Sequence, residues 1–447
     1  FERVERGLPK DESSPSIVRD PEKCINCRRC VEACEKVQGV AALSTVNRGF
    51  DSIVMPAYEA GLMDVVCVMC GQCTLACPTG AITERDDTAR VWAALADPSK
   101  HVVVQTAPAI RASLGEELNL PAGSVVTGKM VAALRRLGFD RVFDTDFTAD
   151  LTIMEEGHEL LQRLTSGGTL PLLTSCSPGW IKFIEHFYPE LLPHLSSCKS
   201  PQQMFGALAK TYYAQKAGVA PADVFVVSIM PCTAKKAEAS DQGEVDFVLT
   251  TRELIKLMER FGIDWARSVG RRPLDSPFAD STGAGRLFGG TGGVMEAAIR
   301  TVHKLITDKD LRDGWKIPGA RGMGPIRDFS LNIEGLDLGF AVVSGIGHVP
   351  ALLKDIEAKR LSVHFVEVMS CPGGCVAGGG QPYDTNVDSV QQRIARLQEA
   401  DRRARQRGSH TSPAIAALYE QVFGVAGGEA SHRLLHRHYV DRSVEEG

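Results

Sequence analysis

The chain lacks an excess of either charge. Its 447 residues carry 50 Lys+Arg against 55 Asp+Glu, a formal net charge of −5. That leaves no basic surplus for nucleic acid and no like-charge tail. It also lacks a run that could cross a membrane as a helix. The longer uncharged stretches, such as Leu338–Leu353, are broken by Gly, Ser, His and Pro. There is no solenoid repeat. The start, FERVERGLPK, has no initiator Met and no signal-peptide pattern. It reads as the C-terminal part of a longer polypeptide or as a processed start. No nucleic-acid partner and no membrane span are expected. The 44% hydrophobic content is enough for a large core.

What is present is cysteine, 13 in all. In a small secreted domain these would pair as disulfides. Here the chain is long and eight of them fall in two tight runs, a spacing that suits metal ligation. Cys24, Cys27, Cys30 and Cys34 form C-x2-C-x2-C-x3-C, and Cys67, Cys70, Cys73 and Cys77 repeat it before Pro78. This is the run with which bacterial ferredoxins hold two [4Fe–4S] clusters, the fourth cysteine of each run reaching the other cluster. Cys24, Cys27, Cys30 and Cys77 are therefore expected on one cluster, and Cys67, Cys70, Cys73 and Cys34 on the other. Two zinc sites are the alternative, but zinc usually takes separate C-x2-C pairs. Glu35 stands where a proline often follows the first run, and the gap between the runs is long.

From about His101 the texture changes. HVVVQTAP, RVFDTD, TLPLLTSC, DVFVVSIMPC, VDFVLT, LGFAVVSG and VHFVEVMSC read as strands. KMVAALRRLGF, DLTIMEEGHELLQRL, SPQQMFGALAKTYYAQKAG, TRELIKLMERFG and GVMEAAIRTVHKLI have helical apolar spacing. This alternation predicts an α/β fold with mostly parallel sheets. Residues after about 386 become charged and helical. Three of the apolar strands end in cysteine: Cys176, Cys232 and Cys371. Ligands in open α/β sheets gather at the carboxyl ends of strands. Cys375 joins them in CPGGC, where the glycines allow a tight turn.

TSCSPGW, MPCTAKKAE and EVMSCPGGCVAGGGQP resemble the three signature segments of [FeFe]-hydrogenases. With the double-ferredoxin start, the resemblance covers residues from about 15 to 385. It implies a ferredoxin-like α+β domain over 1–90 and a catalytic domain of two mixed or parallel-sheet lobes with flanking helices over 91–385. A helical C-terminal extension over 386–447 completes the chain. It implies reversible oxidation of H2 at an H-cluster, a [4Fe–4S] cubane joined to a di-iron unit carrying CO, cyanide and a bridging dithiolate. Electrons would pass through the two N-terminal clusters. By the same resemblance Cys232, Cys371 and Cys375 hold the cubane, with Cys375 the bridge. Lys235 would pair with a cyanide, since a buried anion needs a buried cation or strong donors. Met230 and Met369 would be soft apolar walls, and Ala107 and Pro108 would line the same pocket.

The family pattern has two adjacent cysteines where this chain has Cys176-Ser177. Either Ser177 ligates, or Cys176 takes the ligand role and the proton relay changes, or the site is weakened. Thiolate is the better iron ligand; column position makes Cys176 the relay thiol. Glu156, Glu159 and Arg163 lie at i, i+3 and i+7, one helix face. The resemblance implies a relay in the order Arg163, Glu156, Ser196, Glu159, Cys176. Burial should raise the carboxylate pKa values. Without the resemblance, Glu159 and Arg163 would read as an exposed pair contributing ~0.3 kcal/mol.

Cys198 reads as a buried structural thiol. STGAGRLFGGTGGVMEA has no G-x-G-x-x-G and reads as a loop near the cofactor. His432, His436 and His438 read as solvated. The expected partners are H2, protons, and either a ferredoxin or a flavin subunit using NAD(P), in the cytoplasm. The alternatives are a slow hydrogen-sensing relative and a non-enzymatic iron–sulfur assembly factor of the same fold.

Overall fold

Each cysteine run winds back on itself by the same backbone device. The residue before the second cysteine and the residue after it are left-handed: Asn26 and Arg28 in the first run, Met69 and Gly71 in the second. Asn, which tolerates that region, and Gly, which is free in it, each hold one of these four positions. The structure, a computed structural model, describes residues 7–265, 270–311 and 316–443. Around the runs, β1 (Ile17–Arg19), β2 (Ser44–Val46), β3 (Ile53–Met55) and β4 (Ile82–Glu84) form two antiparallel pairs, β1 with β4 and β2 with β3. Ile17, Leu43, Val54, Leu62 and Ile82 make a small core against the cysteines.

The apolar runs ahead form two larger sheets. The first contains β5 (His101–Thr106), β6 (Arg141–Asp144), β8 (Val224–Met230) and β9 (Phe247–Thr250). Its order is β6-β5-β8-β9, all parallel. Helices cover both faces, so strands such as Val102–Val104 and Val226–Val227 are buried throughout. The second contains β7 (Leu172–Leu173), β10 (Ile326–Ile333), β11 (Leu336–Ser344) and β12 (Phe365–Met369), in the order β10-β11-β12-β7. Here β10 and β11 are antiparallel and the rest parallel. Strand β10, which the sequence reading omits, is a half-exposed edge whose alternating residues lack a long apolar run. It meets β11 through a two-residue turn, Glu334-Gly335, both with positive φ.

The longest helix, Thr145–Ser166, runs between the two sheets' cores and is capped by Asp144. After Asn386 the chain forms helix Val387–Arg402, two short turns of helix at 413–423, and helix Glu429–Leu435. This extension is stitched to the body by buried polar contacts. Arg393, fully buried, bonds Glu116 at 2.7 Å and the carbonyl of Val376 at 2.6 Å. Asp401 takes Arg300 at 2.8 Å, and Ser409 donates to Asp150 at 2.7 Å. Among the described residues no helix is long and apolar enough to cross a membrane.

Candidate active site

Strands β5, β8, β7 and β12 all point their carboxyl ends at one interior cavity. The first delivers Ala107 and Pro108, the second Met230 and Cys232, the third Cys176 and Ser177, the fourth Met369 and Cys371. Lys235, Cys375, Phe288 and Gly289 also line it, so the glycine-rich loop lies at the cavity. Gly374 makes the CPGGC turn possible: its φ is 91° and a Cβ there would come 2.7 Å from the amide of Thr291.

Two further cavities lie in the N-terminal segment. Cys24, Cys27, Cys30 and Cys77 rim one; Cys34, Cys67, Cys70 and Cys73 rim the other. Among the described residues no three His, Cys, Asp or Glu converge closely enough for a single ion. A zinc ion needs its sulfurs at about 2.3 Å, whereas cysteines standing apart around a cavity match a multi-iron cluster. Several of the buried thiols are unfavourable to ionise as they stand, although at Cys77 burial is outweighed by amide and hydroxyl donors about Thr79, Ala81 and Ile82, which lower it. Burial, then the charges of Cys24 and Cys77, push Cys30 up to about 11. Burial, then Cys232, push Cys375 up to about 12. Burial and its cysteine neighbours also raise Cys70, Cys73 and Cys371. A polycationic group among such thiols deprotonates them and turns repulsion into ligation. The donor set therefore fits iron–sulfur groups.

The second cavity's loop abuts the interior site. A Cβ on Gly379 would lie 2.3 Å from the carbonyl oxygen of Cys70. Gln72 Nε2 donates to Cys371 Sγ at 3.2 Å and to the carbonyl of Ala377 at 3.0 Å. Gln72 was invisible to spacing arguments because its partners lie about 300 residues away.

Lys235 Nζ lies at the wall, donating to the carbonyl of Cys176 at 3.1 Å and to Glu238 Oε2 at 2.8 Å. Glu238 also accepts from Gln202 at 2.9 Å. It was missed although it sits at i+3 from Lys235, the spacing of a helical ion pair. Buried Glu367, in the apolar strand β12, was also missed. It accepts from the amides of Gly292 at 2.6 Å and Met295 at 2.7 Å, and burial pushes it up to about 7.

The residues expected to form the relay lie along one path, with Glu159 rather than Glu156 next to Arg163. Arg163 Nη2 donates to Glu159 Oε1 at 2.7 Å, and Ser196 Oγ donates to Glu159 Oε2 at 2.8 Å. Glu156 is the inner acid. The helix climbs toward the surface, so each turn is shallower than the one before; spacing gave the face but not the depth. Glu156 is buried, with the Ser175 amide and the Ser196 hydroxyl facing its carboxyl. Burial first, and the charge of Glu159 second, push Glu156 up to about 8. Burial and then the charge of Glu156 raise the Cys176 thiol. The two hydroxyls of Ser177 and Ser370 pair at 2.6 Å. Cys198 is buried. His436 is not solvated: its side chain is 6% exposed and Nε2 lies 3.1 Å from Glu155. A carboxylate 281 residues away buries it, which tail composition could not reveal.

Three families describe successive parts of the chain. Residues 23–81 match a 4Fe-4S dicluster domain, 100–379 the iron only hydrogenase large subunit, C-terminal domain, and 387–442 the iron hydrogenase small subunit. The chain is 49% identical over 443 residues to the NADP-reducing hydrogenase subunit HndD of Solidesulfovibrio fructosivorans, covering 96% of this chain and 75% of that one. It is 41% identical to iron hydrogenase 1 of Clostridium pasteurianum, covering 97% and 78%. A variant of the [FeFe]-hydrogenase HydA1 from Chlamydomonas reinhardtii superimposes with a TM-score of 0.71 at 40% identity, covering 80% and 99%. A cytosolic Fe-S cluster assembly factor of Danio rerio is more distant, at 32%.

Proposed function

The chain belongs to the iron-only, or [FeFe], hydrogenase family, and from that premise we propose how its own residues divide the labour. It is an oxidoreductase acting on H2, with two [4Fe–4S] clusters and an H-cluster. When bound, the H-cluster supplies the redox chemistry that interconverts H2 with protons and electrons. The protein's share is binding, orientation and proton handling.

Cys232, Cys371 and Cys375 would hold the inner cubane, and each of the two N-terminal cavities would hold one [4Fe–4S] cluster on its four cysteines. Gln72 and the Cys70 loop would set the second of these beside Cys371, a short protein route for electrons. Lys235, steadied by Glu238, would supply a cation to a cyanide ligand of the cofactor. Ala107, Pro108, Met230 and Met369 keep water out.

Cys176 is the inner end of the proton line and Ser177 occupies the fourth ligand position. The support is electrostatic neighbourhood. Cys232 and Cys375 both bear on Cys371, whereas Cys176, after burial, feels the charge of Glu156 ahead of that of Cys375. Protons then move by Cys176, Glu156, Ser196, Glu159 and Arg163. A Glu156 that is still largely protonated near neutrality can give and take a proton in turn.

The outlet for electrons is a partner subunit that reduces NAD(P), in the cytoplasm. The support is the 49% identity to a protein named as a subunit of an NADP-reducing hydrogenase. The single observation that carries the reading is the meeting of four cysteines from three distant segments on one interior cavity. Infrared spectra of the purified, matured protein should show carbonyl and cyanide stretching bands. A spectrum without them, in protein whose iron content is complete, overturns the di-iron assignment.

A further inference from the structure

The proton line ends on a surface cavity of about 680 Å³. Glu159 and Arg163 form one wall; Glu155, Ser197, His432 and His436 form another. The second wall is supplied partly by the C-terminal extension, through His432 and His436, and it is fixed in register to the line. Cys198 pairs with His436 in a short antiparallel bridge, and the amide of Arg437 donates to the carbonyl of Ser197 at 2.8 Å. The amide of Ser197 in turn donates to Glu159 Oε2 at 3.2 Å.

His436 is locked at both ring nitrogens: Nδ1 lies 2.8 Å from Ser197 Oγ, and Nε2 lies 3.1 Å from Glu155 Oε2. Glu155 is itself held by the Tyr419 hydroxyl at 2.5 Å and the Gly427 amide at 2.8 Å. Against the opposing effect of burial, bonds from His436 and Tyr419 keep the Glu155 carboxyl below its ordinary value. It therefore stays ionised beneath the ring. His432 stacks on His436 with centroids 3.9 Å apart and faces solvent.

We propose that His432 is the proton exchange port of this enzyme and that His436 is the positioning residue that holds it over the outlet. This rests on the proton line of the preceding section. A proton leaving the Glu159 carboxyl crosses cavity water to a ring nitrogen of His432, and the imidazolium formed releases it to a buffer base. One proton moves per step and no electrons move; the reverse sequence delivers protons inward. Imidazole suits the task because its ordinary pKa of about 6.5 lets it load and unload near neutral pH. The groups facing the pair are Glu155, His158, Glu159 and Arg163 from the long helix and Tyr419 and Arg437 from the extension, with Cys198 behind them. Burial, then the charge of His436, holds His432 below its ordinary value.

The test is buffer dependence of H2 turnover. In wild-type enzyme the rate should be indifferent to buffer concentration. In His432→Gln, an exposed site where folding is not at risk, the rate in dilute buffer should fall roughly 10–100-fold, toward the lower bound for loss of a positioned proton-transfer group. It should recover on adding imidazole. His436→Gln should give a partial loss, and ring-nitrogen NMR should show the His432 midpoint displaced in it. Wild-type turnover by H432Q in dilute buffer between pH 6 and 8.5, or a loss that imidazole does not restore, overturns the port. Glu159→Gln separates the two ideas: turnover should collapse beyond imidazole rescue, and retained turnover there sinks the proton line itself.

Discussion

At the scale of single residues, Glu156 carries the sharpest prediction. Its folded-state pKa is raised to about 8, so between the ordinary carboxylate range and about pH 8 the unfolded chain sheds a proton that the folded chain keeps. Stability therefore falls as pH rises through that window and levels off above it. Glu156→Gln should flatten this slope, stabilising the protein at pH 8 by a few kcal/mol at about 1.4 kcal/mol per pKa unit. Turnover should drop by roughly 100-fold or more through loss of the inner proton carrier. Thermal midpoints from pH 5 to 8 check the first half; an unchanged slope refutes the buried-acid description. A second pair of substitutions separates the two neighbours at the cavity. Cys176→Ala should abolish turnover by about 100-fold or more while leaving iron content intact. Ser177→Cys should tighten iron retention on dilution. Loss of inner iron in C176A would instead make Cys176 the ligand. At this scale the sequence was informative where chemistry is carried by a rare residue type. Cysteine at strand ends could be read directly. Glu155, Glu238 and Glu367 could not, because surface carboxylates are common and only burial distinguishes these three.

At the scale of elements, the glycine seam between the N-terminal loop and the CPGGC segment is the joint on which the proposed electron entry depends. Both sides of it are backbone: Gly379 would set a Cβ against the carbonyl of Cys70 and the main chain of Gly71. Neither can swing aside as a side chain would. Gly379→Ala should thus push the two loops apart, a strain of about 1–3 kcal/mol. The expected signature is slowed reduction of the inner site by an external donor, with unchanged iron in the N-terminal cavities; an unaltered rate removes the seam from the electron route. Strands were legible where apolar runs are long and buried on both faces, as in β5 and β8. Strand β10 was not, because half its residues face solvent and its turn is Glu-Gly rather than Asn-Gly. The long helix was read correctly as an element and as a face. Its direction relative to the surface, which sets the order of the proton carriers, is a tertiary fact that periodicity does not contain.

At the scale of the whole molecule, the extension after Asn386 is part of the body. It supplies Asp401 to Arg300, Ser409 to Asp150 and Arg393 to Glu116, and it covers Glu155 with Tyr419 and His436. Removing one side of such buried charged contacts typically costs about 3–5 kcal/mol each, against a total stability of about 5–15 kcal/mol for a typical domain. A chain ended after Asn386 should therefore fail to accumulate in soluble form; a well-folded product with an unchanged thermal midpoint would contradict this. Composition marked the extension as charged and helical but gave no hint that its polar residues point inward. Pairing across hundreds of positions leaves no local pattern.

The crossed cysteines have a consequence for maturation. Cys34 belongs to the first run but lies at the second cavity, and Cys77 belongs to the second run but lies at the first. Each loop is thus the buckle of the other's strap. Filling either hollow draws both loops into place, so uptake of the first inorganic core prepares the seat of its twin, and half-loaded molecules should be scarce at equilibrium.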